Sequence, residues 1–282
     1  MARTQATLDA ARAQLAALAT QTGSKTEIVT YSVDVSDEAA VNAAVAAFAA
    51  KYTTVDCLIA SAGVSTPNHI DDIPVREFER MVRINYLGVV ICTKAVLPAM
   101  KAQKSGRIVL ISSMAGQAGI FGYSAYAPTK FAVRGFAEVL HMEARPHGIA
   151  VSVCNPPDVD TPMYAAEMAH KPEECKLMSE GTGLFPAADI ARDVVAGIER
   201  YRFFIQTGFD GHVLGCVTAG FSPVDGGATA LIQVLSASVL RAVAIGYVWM
   251  YNGIAKSVHD KRVKAAAAAT AAGAAAPVAK KD

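Results

Sequence analysis

The sequence RIVLISSMAGQAGIFGYSAYAPTKFAVRGF, residues 107–136, joins a short apolar run to a helical pattern. The run from Arg107 to Ser112 is apolar between its two end residues, which predicts a buried strand. A helix is predicted from Ala125 to His147. A fully buried strand followed by a helix is typical of a parallel sheet that is covered on both faces. This segment therefore favours an α/β fold.

The same alternation continues on both sides of this segment. Strands are predicted at residues 28–33, 55–60, 107–112 and 149–154, and helices at residues 38–51, 75–103, 125–147 and 187–201. After Pro157 the pattern loosens, and loops with short helical pieces are expected up to Thr182. A glycine-rich, broken segment is expected from Gly208 to Gly227. Strands that alternate with helices predict one parallel sheet between two helical layers.

The composition excludes several classes of protein. The chain has 282 residues, of which 52% are hydrophobic and 18% are charged, and its net charge is +1. Such an apolar chain is not a disordered protein, and it lacks the basic field of a nucleic-acid-binding protein. The five cysteines show no paired spacing and the six histidines show no ligand spacing. We therefore expect neither a disulfide framework nor a metal site.

Four side chains within residues 107–136 point to chemistry: Ser112, Ser113, Tyr126 and Lys130. Reduction of a carbonyl group leaves an alkoxide, which a tyrosine can protonate if its pKa falls from about 10 toward neutrality. A lysine four residues later lies on the same helical face and can lower that pKa. A serine hydroxyl can hold the carbonyl oxygen. Tyrosine and lysine at this spacing also occur on helices without any function, so the prediction depends on the surrounding elements.

The order of these elements resembles that of the short-chain dehydrogenase/reductase family, over about residues 2–160. Asn85 and Tyr86 lie in the preceding helix, and residues 60–63 occupy the position of the family's Asn-x-Ala-Gly turn, with Ala60 in place of the asparagine. The resemblance implies a Rossmann-like doubly wound parallel sheet and the catalytic residues Ser113, Tyr126, Lys130 and Asn85, with Ser112 as the alternative serine. It also implies that Asn85 holds a water molecule in a proton relay behind the lysine.

The resemblance implies NADPH as the cofactor. Arg3 matches an arginine that follows the second strand in NADP-dependent members, where a guanidinium can bind the adenosine 2′-phosphate. Asp34 matches an aspartate that contacts the adenine; from the residues alone, Arg3 would be a solvated helix-end arginine and Asp34 a helix-capping acid. The remaining implied cofactor-binding residues are Gly63, Tyr126, Lys130, Pro156, Val159 and Thr161.

The family's glycine-rich phosphate loop is not found in this sequence, since no glycine precedes Gly23. In this fold the loop lets the backbone approach the cofactor pyrophosphate. By resemblance, the chain begins just after the family's second strand, so we expect an N-terminally truncated fold without the first strand, first helix and second strand. We expect such a chain to expose strand edges, to be unstable and to bind NADPH weakly. Upstream coding sequence for a glycine-rich strand–turn–helix would support this expectation, and strong NADPH binding would contradict it.

Further segments resemble one branch of the family, whose members reduce long-chain keto sphingoid bases. They are residues 85–88, 116–123, 156–162, 209–211 and 219–224. Pro156-Pro157-Asp158 stands where most members have Pro-Gly. The resemblance implies a long-chain keto sphingoid base as substrate. Two alternatives stay open: a related reductase of steroids or retinoids, and a non-catalytic fragment that binds partners through its helices.

Residues 228–255 are almost continuously apolar, and Arg241 is their one charged residue. This length is sufficient to cross a bilayer, but Arg241 and the need for cytosolic NADPH favour a re-entrant hairpin or an interfacial helix. A buried helix at a homodimer interface is the alternative. The resemblance implies an enzyme of the endoplasmic reticulum membrane whose catalytic domain faces the cytosol. We expect a short-chain dehydrogenase/reductase domain at 1–227, an apolar membrane-associated segment at 228–258 and a low-complexity tail at 259–282.

Overall fold

The fold was analysed in a computed structural model, which describes residues 1–180 and 183–274. The α-helices are α1 (Gln5–Gln21), α2 (Glu38–Tyr52), α3 (Val75–Met81), α4 (Gly88–Gln103), α5 (Ala127–Ala144), α6 (Pro162–Met168), α7 (Glu173–Ser179), α8 (Ala187–Glu199), α9 (Gly208–Val217) and α10 (Gly227–Ala274). The strands are β1 (Cys57–Ala60), β2 (Gly106–Ile111), β3 (Ile149–Asn155), β4 (Val159–Asp160), β5 (Phe185–Pro186) and β6 (Phe204–Gln206). Short 3₁₀ helices occur at Ile70–Asp72, Met114–Gly116 and Arg145–His147.

The central sheet has four parallel strands in the order β1-β2-β3-β6. Leu58 of β1 pairs with Ile108 of β2, which pairs with Val151 of β3. Strand β6 extends the sheet where Phe204 pairs with Val153. Because the four strands run in the same direction, their carboxyl ends meet at one edge of the sheet. The predicted α/β, Rossmann-like parallel sheet is confirmed.

Helices cover both faces of this sheet. On one face, Val133 of α5 packs in the same hydrophobic core as Ile108, together with side chains of α2 and α4. On the other face, Val194 of α8 packs against Val109 and Ile205. Each fully buried aliphatic side chain of this kind stabilises the fold by about 1.5–3 kcal/mol relative to an exposed one. Burial on both faces explains why the sequence of β2 is almost uniformly apolar.

The strand predicted at Ile28 to Val33 is not formed. This segment is extended but makes one isolated parallel bridge, between Ala2 and Ser32. The backbone N–H of Val33 donates to the carbonyl of Ala2 at 2.9 Å. A strand requires a neighbouring backbone along its whole length, and among the described residues Ala2 alone supplies a bridge partner. The β-branched residues that predicted a strand therefore reflect partial burial.

The glycine-rich segment from Gly208 to Gly227 is irregular only in its second half, and one strand before it was missed. Residues Gly208–Val217, expected to be broken, form helix α9, and Phe204–Gln206 form strand β6, which was not predicted. A Cβ atom at Gly215 would lie 2.8 Å from Nε2 of Gln206. The glycine that weakens the helical pattern thus lets α9 lie close to β6.

The helical segment predicted at residues 75–103 is present, but it is not a regular α-helix throughout. A π-helical turn at Val82–Leu87 separates α3 from α4. Such turns are rare in proteins and are frequently found at functional sites. Asn85 lies in this turn and is fully buried.

Helix α10 is continuous through Arg241, so the re-entrant hairpin is not present. The helix also includes the predicted tail as far as Ala274, and residues 275–282 lie outside the described residues. By length and composition, two helical segments among the described residues are long and apolar enough to cross a membrane. The first, Val75–Gln103, packs partly into the core, whereas the second, Gly227–Ala269, has no buried share in its apolar window.

An ion pair attaches the C-terminal half of α10 to α7. The guanidinium of Arg262 donates to both carboxylate oxygens of Glu174, at 2.7 and 2.9 Å. Glu174 is 2% exposed, so this bidentate pair fixes the position of α10 relative to the domain.

Candidate active site

Tyr126 and Lys130 lie at the beginning of α5, beside the carboxyl end of β2. Tyr126 directly precedes α5, and Pro128 in the first turn favours a helix start at this point. Nζ of Lys130 donates to the carbonyl oxygen of Ile111 at 2.9 Å. It lies 5.5 Å from the centre of the Tyr126 ring. The spacing of four residues therefore places both side chains on one side of the helix.

Ser112 and Ser113 are neighbours in sequence but have different surroundings. Oγ of Ser112 donates to the carbonyl of Lys130 at 2.9 Å, which links β2 to α5. A Cβ atom at Gly116 would lie 2.4 Å from this oxygen, so the close approach of the chain here requires glycine. Ser113 instead caps the following 3₁₀ helix and forms a hydrogen bond with Tyr126. Of the two hydroxyl groups, that of Ser113 is the one next to the tyrosine.

The side chain of Asn85 is occupied by protein partners. Its Oδ1 accepts a hydrogen bond from N of Val64 at 2.8 Å, and its Nδ2 donates to the carbonyl of Val64 at 2.9 Å and to Oγ1 of Thr129 at 3.1 Å. Oγ1 of Thr129 donates to the carbonyl of Tyr126 at 2.7 Å. Asn85 thus connects the turn after β1 with the start of α5. The proton relay through a water molecule stays a prediction.

Burial changes the acidity of both residues of the tyrosine–lysine pair. It raises the pKa of Tyr126, and the negative charge of Glu167 raises it further, while the hydrogen bond with Ser113 acts in the opposite direction. Burial lowers the pKa of Lys130 from 10.5 to about 8. The expected depression of the tyrosine pKa by the lysine is therefore not found, because desolvation of the phenolate dominates.

A cavity of about 1270 Å³ opens beside Tyr126. Its volume exceeds the range of about 300–1,000 Å³ that is common for small-molecule sites. The predicted site residues that line it are Gly63, Ser112, Ser113, Tyr126, Lys130, Pro156, Val159 and Thr161. Asn85 lies behind this wall: a Cβ atom at Gly63 would lie 3.5 Å from its Oδ1 and 3.7 Å from Nζ of Lys130.

Two predicted cofactor residues do not line this cavity. Arg3 is exposed, and its carbonyl accepts a hydrogen bond from Oγ of Ser32 at 2.9 Å. Asp34 accepts hydrogen bonds from N and Oγ of Ser36, at 2.9 and 2.7 Å. These bonds are the main reason that its pKa is lowered, with a smaller contribution from the charge of Arg3. Arg3 and Asp34 therefore lie near each other and outside the lining of the cavity.

A polar cluster in the same cavity was not found from the sequence. Tyr123 OH donates to Oε2 of Glu167 at 2.8 Å, and the rings of Tyr123 and Tyr126 lie 5.5 Å apart. Nζ of Lys171 donates to Oδ2 of Asp158 at 3.1 Å. Tyr123, Glu167 and Asp158 line the cavity. Glu167 is one of several acids in a segment without regular pattern, so its burial in the folded protein is what identifies it as a site residue.

Helix α10 forms an apolar wall of the cavity. The α10 residues that line it are mostly apolar, among them Leu240, Val243, Ala244, Tyr247, Tyr251 and Ile254, and they also include Arg241. The apolar residues of this set each have a neighbour three or four positions away and therefore share one helical face. The cavity consequently combines polar groups next to Tyr126 with an extended apolar surface.

Known proteins similar to this chain include enzymes of sphingoid-base reduction. The chain is 38% identical over 245 residues to a 3-dehydrosphinganine reductase of Danio rerio. The aligned region covers 86% of this chain and 74% of the relative. It is also 38% identical over 241 residues to a 3-ketodihydrosphingosine reductase of Bos taurus, covering 85% of this chain and 73% of the relative.

Solved structures and a family comparison agree on the fold. The structure of ElxO with NADP bound matches with a TM-score of 0.55 and 27% identity, over 61% of this chain and 71% of ElxO. The family described as short chain dehydrogenase matches residues 2–172. This match includes the sheet strands β1, β2 and β3 and all the predicted catalytic residues. The chain belongs to the short-chain dehydrogenase family.

Proposed function

We propose that this protein reduces 3-ketodihydrosphingosine to dihydrosphingosine with NADPH, as a step of sphingolipid biosynthesis. The observation that carries the proposal is the cavity, which is lined by Tyr126, Ser113 and an apolar face of α10. A substrate with a ketone close to a polar head and a long hydrocarbon chain requires this combination of surfaces. The names of the zebrafish and bovine relatives support the same substrate.

In this proposal, Tyr126 donates a proton to the ketone oxygen and Ser113 donates a hydrogen bond to the same oxygen. The ammonium group of Lys130, 5.5 Å from the Tyr126 ring, favours the tyrosinate that results. Ser112 holds β2 against α5, since its hydroxyl is already bonded to the carbonyl of Lys130. Asn85 positions the start of α5 through Thr129.

The residues of the cavity fit the nicotinamide half of NADPH. Gly63, Pro156, Val159 and Thr161 follow the carboxyl ends of β1 and β3, which is where parallel sheets of this kind bind ligands. When bound, NADPH supplies the hydride. Arg3, exposed and away from the cavity, is proposed to bind the adenosine 2′-phosphate, and Asp34 to contact the adenine. Assays are designed with millimolar NADPH, so that cofactor binding does not limit the measured rate.

A comparison of ketones tests the proposed substrate. With millimolar NADPH, we expect the purified chain to oxidise NADPH with 3-ketodihydrosphingosine at a kcat/KM at least tenfold above that with a steroid or retinoid carbonyl substrate. The expected reason is that the polar head and the chain together occupy more of the cavity. The decrease in NADPH absorbance with time measures the rate of reduction of each ketone. Equal or faster turnover of the steroid or retinoid would contradict the substrate assignment but would leave the family unchanged.

We further propose that α10 lies on the cytosolic surface of the endoplasmic reticulum membrane. The face of α10 opposite the cavity carries exposed apolar side chains, among them Leu231, Val234, Leu235 and Trp249. Leu235 is 70% exposed and Trp249 73%. A helix with an apolar face and a tryptophan is typical of interfacial binding, and the lipid substrate has to be taken from a membrane. The competing proposal is that this face of α10 binds a second copy of the chain and forms a homodimer.

Vesicle binding tests this placement. We expect the double substitution Leu235→Glu and Trp249→Glu to reduce co-sedimentation with phosphatidylcholine–phosphatidylserine vesicles at least tenfold. Loss of each apolar contact costs about 1.5–3 kcal/mol, and about 1.4 kcal/mol corresponds to a tenfold change.

The matched control for this experiment is Leu18→Glu, which changes an exposed leucine on α1. Vesicle binding of this control should equal that of the unaltered chain. If the double variant binds vesicles normally but changes from dimer to monomer in sedimentation, the exposed face of α10 is a subunit interface and the membrane placement is wrong.

A further inference from the structure

Glu167 is a buried carboxylate that faces the cavity without a cationic partner. Its side chain is 7% exposed, and its Oε2 accepts a hydrogen bond from the hydroxyl of Tyr123 at 2.8 Å. No lysine, arginine or histidine among the described residues forms an ion pair with it. A buried carboxylate without a counter-ion is costly, and burial accordingly raises its pKa.

The charge of Lys171 acts on Glu167 as well, but its amine is paired with another carboxylate. Lys171, whose side chain is 1% exposed, pairs with Asp158 at 3.1 Å. The amine of Lys171 lies 5.9 Å from the Tyr123 ring and 5.5 Å from the Tyr164 ring. With two carboxylates and one ammonium group, the cluster of Asp158, Glu167 and Lys171 lacks one positive charge. Lys130, whose amine donates to the carbonyl of Ile111, and Arg241 also line the cavity, but neither forms an ion pair with Glu167 in the described part of the chain.

Position as well as charge connects Glu167 with the reacting atoms. Tyr123 joins Glu167 to the centre of the site, since its hydroxyl is bonded to the carboxylate and its ring lies 5.5 Å from that of Tyr126. The charge of Glu167 also acts on Tyr126. In a keto sphingoid base, the amino group is on the carbon next to the ketone. A ketone oxygen at Tyr126 therefore brings the amine toward this cluster.

We propose that Glu167 binds the ammonium group of the substrate and thereby selects amino ketones over plain ketones. This inference rests on the proposed function. The ammonium group completes the charge balance of the cluster and stabilises the desolvated carboxylate through a charge-assisted hydrogen bond. It also offsets the negative charge that makes Tyr126 a poorer proton donor, so binding of the correct head group prepares the tyrosine for proton transfer.

Paired substrates test this inference. The first is 3-ketodihydrosphingosine, and the second is the matching ketone in which a hydrogen atom replaces the amino group; both are assayed below neutral pH, where the amine is charged. We expect Glu167→Gln to lower the ratio of their kcat/KM values by about 10- to 100-fold, mainly through a higher KM for the amino ketone. Glutamine retains an acceptor for Tyr123, so the local packing is kept. In the control Glu173→Gln, an exposed acid at the start of α7, the ratio should not change.

A binding measurement separates this inference from the activity. Dihydrosphingosine, which carries the amine, should bind to the unaltered chain at least tenfold more tightly than the same alcohol without the amine, and Glu167→Gln should remove the difference. If the unaltered chain reduces neither ketone, the proposed function fails. If it reduces the amino ketone but Glu167→Gln leaves the ratio and the binding difference unchanged, Glu167 does not recognise the amine and the proposed function stands.

Discussion

Replacing Tyr126 by phenylalanine is expected to reduce kcat for 3-ketodihydrosphingosine by about 10²–10⁴-fold, the usual contribution of a general acid. The substitution removes one hydroxyl group and keeps the ring, which packs in the cluster formed by Tyr123, Ala127 and Cys175. We therefore expect the free energy of unfolding to change by less than about 1 kcal/mol. NADPH oxidation at saturating ketone measures kcat, and thermal unfolding followed by circular dichroism measures stability.

The matched control is Tyr86→Phe, which removes a tyrosine hydroxyl from a side chain that packs against Phe136, away from the cavity. This variant should keep the kcat of the unaltered chain. Equal kcat values for Tyr126→Phe and the unaltered chain would show that Tyr126 is not the proton donor.

Replacing Lys130 by methionine is expected to abolish turnover and to stabilise the ligand-free protein. Lys130 is 5% exposed, and burial lowers its pKa from 10.5 to about 8. A lowered lysine pKa means that the protonated form is less favourable in the folded than in the unfolded chain, by roughly 3 kcal/mol at about 1.4 kcal/mol per unit. Losing the hydrogen bond to Ile111 costs about 1 kcal/mol. We expect a net gain of about 1–2 kcal/mol at neutral pH.

The pH dependence follows from the same linkage. Below about pH 8, Lys130 is protonated in both states, so the whole penalty is present and the stability advantage of Lys130→Met is largest. Between about 8 and 10.5 the unfolded chain holds more protons than the folded one, so the stability of the unaltered protein rises relative to the variant. Thermal unfolding of both proteins at several pH values measures this difference. The control is Lys94→Met, which replaces an exposed lysine and should leave the stability unchanged. If Lys130→Met is less stable than the unaltered protein at neutral pH, burial does not destabilise the protonated Lys130.

The part of the site that depends on local spacing could be predicted from the sequence. Tyr126 and Lys130 are four residues apart on one helix, so their common face follows from helical geometry. From the sequence, Ser113 could only be ranked above Ser112 as the catalytic serine, because both residues follow the same strand. The structure separates them through the hydrogen bond from Ser112 to the carbonyl of Lys130, a contact that depends on how α5 packs against β2.

The rest of the cavity depends on contacts between distant segments. Glu167 meets Tyr123 across 44 residues of sequence, and no local pattern indicates which acid of the irregular segment after Pro157 turns inward. The apolar residues of α10 predicted a membrane segment, but the pattern did not show that one face lines the cavity while the opposite face is exposed. Ile28 to Val33 has strand composition, yet strand formation depends on a pairing partner.

The most direct test of the account is the identity of the product. The chain is incubated with 3-ketodihydrosphingosine and millimolar NADPH that carries deuterium at the transferable position of its nicotinamide ring, and the lipids are analysed by mass spectrometry. We predict that the unaltered chain forms dihydrosphingosine with one deuterium on the carbon that was the ketone. The Tyr126→Phe variant should form this product only in trace amounts. Absence of deuterated dihydrosphingosine, from a chain that unfolds cooperatively and therefore is folded, would contradict the proposed reaction.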